Sequence, residues 1–406
     1  MKYVQLGELG DFKNGVNFKS DRMGRGLPLV NVKDITSSHR IDPAALDLVD
    51  VKTDEELFAD TNDIFFVRSS VKLDGIALVG KFSFIESPAI HCGFVIRFRP
   101  VSTDLCSDYL LYLLLSQEYR QRLKGLSGGA AIVNISQASL KSLPIPLPAY
   151  DVQRKIASIL STYDDLIENN RRRMALLEES ARLLYREWFV RLRFPGHEHM
   201  RIIDGVPEGW VRRSLVDTCA SLEDGDWIES KDQGGEDYRL LQISNIGMNE
   251  FVETGNFRYV TEQTFKRLRC REILPGQILI SRMPKPIGRA WLVTEMPWKM
   301  ITAVDGAILI PNPEIADPYF LIHHLNSPEN VESCERRAVG ATRPRISRRE
   351  LASLPVLVPP FTLQRDFREV AEPLNQQRAN LYRQNQKLRA ARDLLLPRLM
   401  SGEIAV

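Results

Sequence analysis

Apolar residues are distributed along this chain in two alternating regimes. Short runs rich in β-branched and aromatic residues come first, punctuated by Gly and Pro. Asp63-Ile64-Phe65-Phe66-Val67-Arg68 and Gly93-Phe94-Val95-Ile96-Arg97-Phe98 have the length and composition of buried strands. Residues 108–115 are a leucine-rich patch that predicts a helix. After Leu143-Pro144-Ile145-Pro146-Leu147-Pro148 the period lengthens: Ile156, Ile159, Tyr163, Leu166, Asn170, Met174, Leu177, Ala181, Leu184 and Trp188 follow at spacings of three and four.

The same order then returns. Strand-like runs at Gln277-Ile278-Leu279-Ile280-Ser281-Arg282 and Gly306-Ala307-Ile308-Leu309-Ile310 precede a helical patch at residues 319–325. A second proline strand, residues 354–360, leads into a strict 3-4 seam of Phe367, Val370, Leu374, Gln377, Leu381, Gln384, Leu388, Ala391 and Leu395. Each unit is therefore expected to be α+β, mainly strands, with a long helix behind it. A helix of about 35–40 residues is roughly 50–60 Å long, more than one domain's core needs, so the two seams predict a coiled coil acting as a spacer. Asn170, Gln377 and Gln384 are its expected polar seam positions, and Pro373 predicts a kink or a late start in the second helix.

The return is a duplication. Laying Gly129 on Gly340 matches 11 of 26 residues between 129–154 and 340–365, where composition gives roughly one or two. Among the matches are Ile135-Ser136 with Ile346-Ser347, Leu143-Pro144 with Leu354-Pro355, and Gln153-Arg154 with Gln364-Arg365. The same offset of 211 lays residues 29–35 on 240–246, so the repeat spans whole domains.

At 406 residues, with 44% hydrophobic and 26% charged residues, the chain has the composition of a globular protein of two domains. No apolar run reaches membrane-span length, and a cytoplasmic protein is expected. Five scattered cysteines without a C-x-x-C pair predict free thiols. A net charge of +2 permits nucleic-acid binding without requiring it.

Catalytic chemistry finds no home. Gly75 to Phe82 imitates a phosphate loop, but Phe82 stands where the magnesium-binding hydroxyl belongs. His197-Glu198-His199 and His323-His324 lack further ligands at metal spacing. Basic residues instead recur in the loops after strands: Arg68 and Lys72 in the first unit, Arg282, Lys285 and Arg289 in the second. The loops entering the proline strands add Asn134 in residues 128–134, and Arg343 and Arg345 in residues 340–345. Arg and Asn in such loops suit phosphate and base-edge contacts, and these eight residues are the candidate DNA-binding set.

Two variable strand-rich domains, each followed by a Leu-Pro strand, a Gln-Arg helix start and a long helix, resemble the specificity subunit of type I restriction-modification systems. The terminal Leu395-Leu396-Pro397-Arg398-Leu399-Met400-Ser401-Gly402-Glu403-Ile404 is similar to the family's ending. Asp151-Val152 and Thr362-Leu363 depart from its habit of placing Glu before the helix Gln. The resemblance implies a non-catalytic subunit: target recognition domains at 1–150 and, with a linker, 195–361, and helices at 151–194 and 362–406. These helices would form an antiparallel coiled coil separating the two readers in a pseudo-two-fold tandem repeat. It also implies double-stranded DNA with an asymmetric bipartite target, two adenine methyltransferase subunits, and restriction/translocase subunits as partners. S-adenosylmethionine and ATP would belong to those partners, leaving this chain no cofactor. On the residues alone two other readings stay open: the recognition part of a self-sufficient methyltransferase-nuclease, and a coiled-coil scaffold whose β-rich heads bind proteins.

Overall fold

The structure, a computed structural model, describes residues 2–128 and 132–406. Gly129, where the repeat was anchored, lies outside the described residues together with Ala130 and Ala131. Two long helices, Tyr150–Tyr185 and Phe361–Met400, are each shared between two units: residues 1–169 with 385–406, and residues 170–384.

In the first unit a five-stranded sheet runs in the order Gly10–Asn14, Val95–Pro100, Ile64–Val67, Val79–Phe82, Arg40–Ile41, antiparallel except at the last pair. Its central strand is buried on both faces. Ile64 and Phe66 point into one core with Phe12, Phe98 and Tyr109, while Phe65 and Val67 point into another with Leu29, Phe82 and Val95. That is why the strand reads as an unbroken apolar run rather than an alternation. The second unit repeats the device in a four-stranded sheet, where Ile278 and Ile280 face one core and Leu279 faces another with Trp291 and Ile308. In both units the proline strand, Pro144–Pro146 or Pro355–Val358, pairs, among the described residues, only with a strand from early in the unit, Tyr3–Gln5 or Val211–Ser214. A two-stranded ladder tolerates residues that cannot donate.

The shared Gln explains the helix start. Gln153 is fully buried; its Nε2 donates to the carbonyls of Asp104 and Pro148, both at 2.8 Å, and its Oε1 accepts from the amide of Cys106 at 2.9 Å. Gln364 does the same with Ile315 (3.0 Å), Pro359 (2.9 Å) and Asp317 (2.8 Å), every partner displaced by 211. The amide ties the loop before the helical patch to the end of the proline strand, pairing three backbone groups that burial would otherwise orphan.

The helices pack antiparallel within each unit, and the second helix keeps one row of the expected seam while its alternate row lies one residue further on. Phe367 and Leu381 are buried and Leu374, Leu388 and Leu395 half-buried, as the period predicts. Between them Val370, Gln377 and Gln384 are exposed, and Ala371, Arg378, Asn385 and Arg392 turn inward. On the first helix Asn170 is buried as expected, while Ile167 rather than Leu166 faces in. The reason is polar pairing. In the first unit Asn385 Nδ2 donates to the Ile167 carbonyl at 3.2 Å and Arg392 Nη1 reaches Asp164 at 2.5 Å; in the second, Arg378 pairs with Glu178. Nor does Pro373 delay the second helix, which begins at Phe361 and runs through it. The proline has no N–H to offer Glu369, whose carbonyl thereby loses its helical partner.

The other motifs resolve into packing. Lys81 of the pseudo phosphate loop lies on a buried strand, its Nζ 2.6 Å from Asp108. His323 and His324 are enclosed, and burial pushes their imidazoles down to about 3 and about 4. The five cysteines are free, and among the described residues no helix is long and apolar enough to cross a membrane.

Candidate nucleic-acid interface

Three segments that are distant in sequence meet at one place in the first unit. Arg68 follows the central strand; its amide donates to the Phe94 carbonyl (2.8 Å), and its carbonyl accepts from the amide of Ile135 (3.0 Å). Next to it Ser69–Ser70 pairs with Val133–Asn134, and Asn134 exchanges two backbone bonds with Gly128. The second unit builds the same junction. The Arg282 amide donates to Asp305 (3.0 Å), the Ile346 amide donates to Arg282 (3.1 Å), and Arg345 exchanges two bonds with Val339. Phe94 and Asp305, Asn134 and Arg345, Ile135 and Ile346 are all 211 apart. Arg68 and Arg282 differ by 214 because the loops before them differ in length.

On these equivalent backbones the side chains diverge. Lys72 is exposed. Arg68 is half-buried, with Nη1 3.4 Å from the Gly93 carbonyl. Asn134 is exposed, its Oδ1 accepting from the Ser69 hydroxyl and its Nδ2 donating to Ile132. In the second unit Lys285 is exposed beside Glu335 (2.8 Å), Arg343 is exposed, and half-buried Arg345 lies 3.1 Å from Asp305.

Arg282 and Arg289 are different. Arg282 is 3% exposed, donates to the Val304 carbonyl and lies 3.1 Å from Asp224. Arg289 is 8% exposed and gives its N–H groups to four carbonyls, those of Ile243, Ile246, Pro284 and Pro286. Burial pulls both guanidinium groups below their ordinary value. Arg289 thereby serves the backbone of the loop that presents Lys285, through Pro284 and Pro286, and Arg282 serves the turn at Val304.

The junctions also carry residues outside the candidate set. Phe94, Val71 and Ile132 of the first unit are exposed apolar side chains, and Arg348 and Arg349 of the second lie beside Arg282. The arginines were legible as the positively charged counterpart of Gln137-Ala138 in the repeat. Phe94 was not, because an aromatic inside a strand-like run reads as core. Together the junctions offer guanidinium and ammonium groups, one amide and apolar tips on stiff two-stranded supports, a set suited to base edges, thymine methyls and phosphates. Among the described residues there is no group of three or more His, Cys, Asp or Glu able to hold a metal ion.

Residues 1–179 match the family described as the type I restriction modification DNA specificity domain. The type I restriction enzyme MjaIX specificity subunit of Methanocaldococcus jannaschii is 25% identical over 351 residues, covering 84% of this chain and 79% of that protein. The putative MjaX specificity subunit of the same organism is 24% identical over 405 residues, covering 97% and 91%. The solved type I restriction-modification S subunit from M. genitalium superposes with a TM-score of 0.56 at 18% identity over 98% of this chain and 95% of that one, a likeness of fold.

Proposed function

We propose that the chain is a non-catalytic specificity subunit of a type I restriction-modification system, as the match of residues 1–179 to the DNA specificity domain and the similarity of most of the chain to specificity subunits support, and that each of its units reads one half of an asymmetric, interrupted DNA target. The observation that carries this reading is the pair of junctions. Identical backbone bonds hold Arg68 and Arg282 at matched positions, while the side chains around them are unlike: Phe94 against Asp305, and Asn134 against Arg345. Two readers with one frame and different tips suit two different half-sites. Lys72, Asn134, Lys285, Arg343 and Arg345, with Arg68 at the edge, make the DNA contacts, and buried Arg282 and Arg289 fix the loops that present them. The helix pair is the platform for two adenine methyltransferase subunits, to which restriction/translocase subunits add. The methyl donor and ATP are bound by those partners.

Adenine-methylome sequencing of cells with and without this protein tests the reading. The expected result is one lost motif made of two unlike halves around an unspecified spacer. A motif that is an uninterrupted palindrome sinks it.

A further inference from the structure

The segments that close the two junctions differ most in charge. Residues 132–141 of the first unit carry one basic residue, Lys141, whereas residues 343–352 of the second carry Arg343, Arg345, Arg348 and Arg349 against one Glu350. Their backbones are alike. Ser136 and Ser347 cap the short helices Gln137–Lys141 and Arg348–Ala352, each accepting from the amide three residues on. Gln137 and Ala138 therefore stand where Arg348 and Arg349 stand.

Arg348 and Arg349 line an open cleft of about 430 Å³ together with Arg282 and Asp224, bordered by Val216 and Leu222. Asp224, the one carboxylate among the described residues that lines it, does not neutralise it, and the carboxylates nearby are engaged elsewhere. Asp224 lies 3.1 Å from Arg282 and 3.9 Å from Arg348, and Asp305 is taken up by Arg345 at 3.1 Å. Glu350 turns to Arg337, 3.6 Å away. Arg343 and Arg349 are exposed and carry no ion pair among the described residues. Beneath them Arg282 is buried with its Nε unpartnered. Three guanidinium groups, those of Arg282, Arg348 and Arg349, around the single carboxylate of Asp224 leave a concave, positively charged surface with forked donors, which is what the oxygens of a phosphodiester backbone require.

Resting on the reading of both units as DNA readers, we infer that this arginine cleft seats backbone phosphates, a contact the first unit lacks at the matched position. The two half-sites are then held with unequal dependence on salt. At the matched position the first unit offers only uncharged Gln137 and Ala138, leaving Lys72 and Arg68 as its charged contacts, whereas the second adds the arginine cleft to Lys285, Arg343 and Arg345.

The test is equilibrium binding of the full chain, assembled with its methyltransferase subunits, to a duplex carrying the methylome-defined target, titrated with potassium chloride. Replacing both arginines, R348Q/R349Q, removes about two phosphate contacts. It should lower the slope of log K against log salt by roughly 1.8 and weaken binding more than about tenfold near physiological salt. The charge-preserving pair R348K/R349K should retain most of the slope. The mirror substitution in the first unit, Q137R/A138R, should steepen it. Unchanged slopes in both the glutamine pair and the mirror pair, with target binding intact, overturn the phosphate cleft and leave the two-reader function standing. A wild-type assembly that binds no duplex at any salt overturns both.

Discussion

The two units answer the same structural need with the same bonds at the helix start and with different bonds further along the helices. At the start, Gln153 and Gln364 satisfy the same three backbone groups, displaced by 211 throughout. Eleven residues on, the match ends. Asp164 is 4% exposed and sits at a hub, with His39 Nε2 at 2.8 Å, Tyr112 Oη at 2.7 Å and Arg392 Nη1 at 2.5 Å. Its counterpart is Asn375, whose Oδ1 accepts from Asn249 (3.1 Å) and Arg378 (3.3 Å), and the counterpart of Tyr112 is His323. Where side chains must serve the backbone, few residue types fit. Where they serve one another, both partners can change together.

The strongest test of this contrast is to remove the shared glutamines. Gln153→Ala leaves two buried carbonyls and an amide without partners, and Gln364→Ala does the same in the second unit. At roughly 1–3 kcal/mol for each orphaned group, each change should destabilise its own unit by about 3 kcal/mol or more. Urea unfolding followed by hydrogen exchange in each unit would measure this. If one change were harmless and the other severe, the frame would not be shared in energy as it is in geometry.

The divergent positions should separate by pH. Burial alone would raise the Asp164 carboxyl, but hydrogen bonding and charge from His39, the Tyr112 hydroxyl and the Arg392 charge hold it well below the usual carboxylate range. A depressed folded-state value means its contribution is present above the ordinary value of 3.8 and is lost as pH falls toward the folded-state value. Glu178 has the opposite sign. Burial raises it, and Arg378 only partly offsets that, so its contribution is full below the ordinary value of 4.5 and lost as pH rises through the folded one. Carboxyl chemical shifts followed through an acid titration should move in opposite directions from the ordinary values at these two sites. Asp164→Asn, which strands Arg392, should destabilise the first unit by roughly 2–4 kcal/mol at neutral pH and remove its acid sensitivity at this site. Parallel shifts at both carboxyls would end the contrast.

The limits of the sequence follow the same division. Runs such as Phe65-Phe66-Val67 and the matched Leu-Pro and Gln-Arg pairs were readable because burial on two faces and service to the backbone constrain residue type. The seam was not, because a hydrophobic period assigns Arg378, Asn385 and Arg392 to the outside, and only their partners Glu178, the Ile167 carbonyl and Asp164 bring them in. The junction residues divide likewise. Lys72, Lys285 and Arg343 are exposed, as basic loop residues usually are. Nothing in the type of Arg289 foretells that the carbonyls of Ile243 and Ile246, more than forty positions earlier, will enclose it.

The seam correction leaves a small, clean prediction. Gln377 and Gln384 are exposed in this structure, one residue away from inward-facing Arg378 and Asn385. On the expected 3-4 seam, Gln377→Leu and Gln384→Leu would each replace a buried polar group with a core residue and raise stability by more than about 1 kcal/mol. On the observed seam both leucines face water, and each change should stay within about 0.5 kcal/mol of wild type. Asn385→Leu, by contrast, removes the donor to the Ile167 carbonyl while adding apolar volume, so its effect reports which of those terms dominates inside the pair. Urea midpoints for the two glutamine variants decide the register: clear stabilisation by both would return the helices to the 3-4 seam and cancel the polar pairing on which the difference between the two units rests.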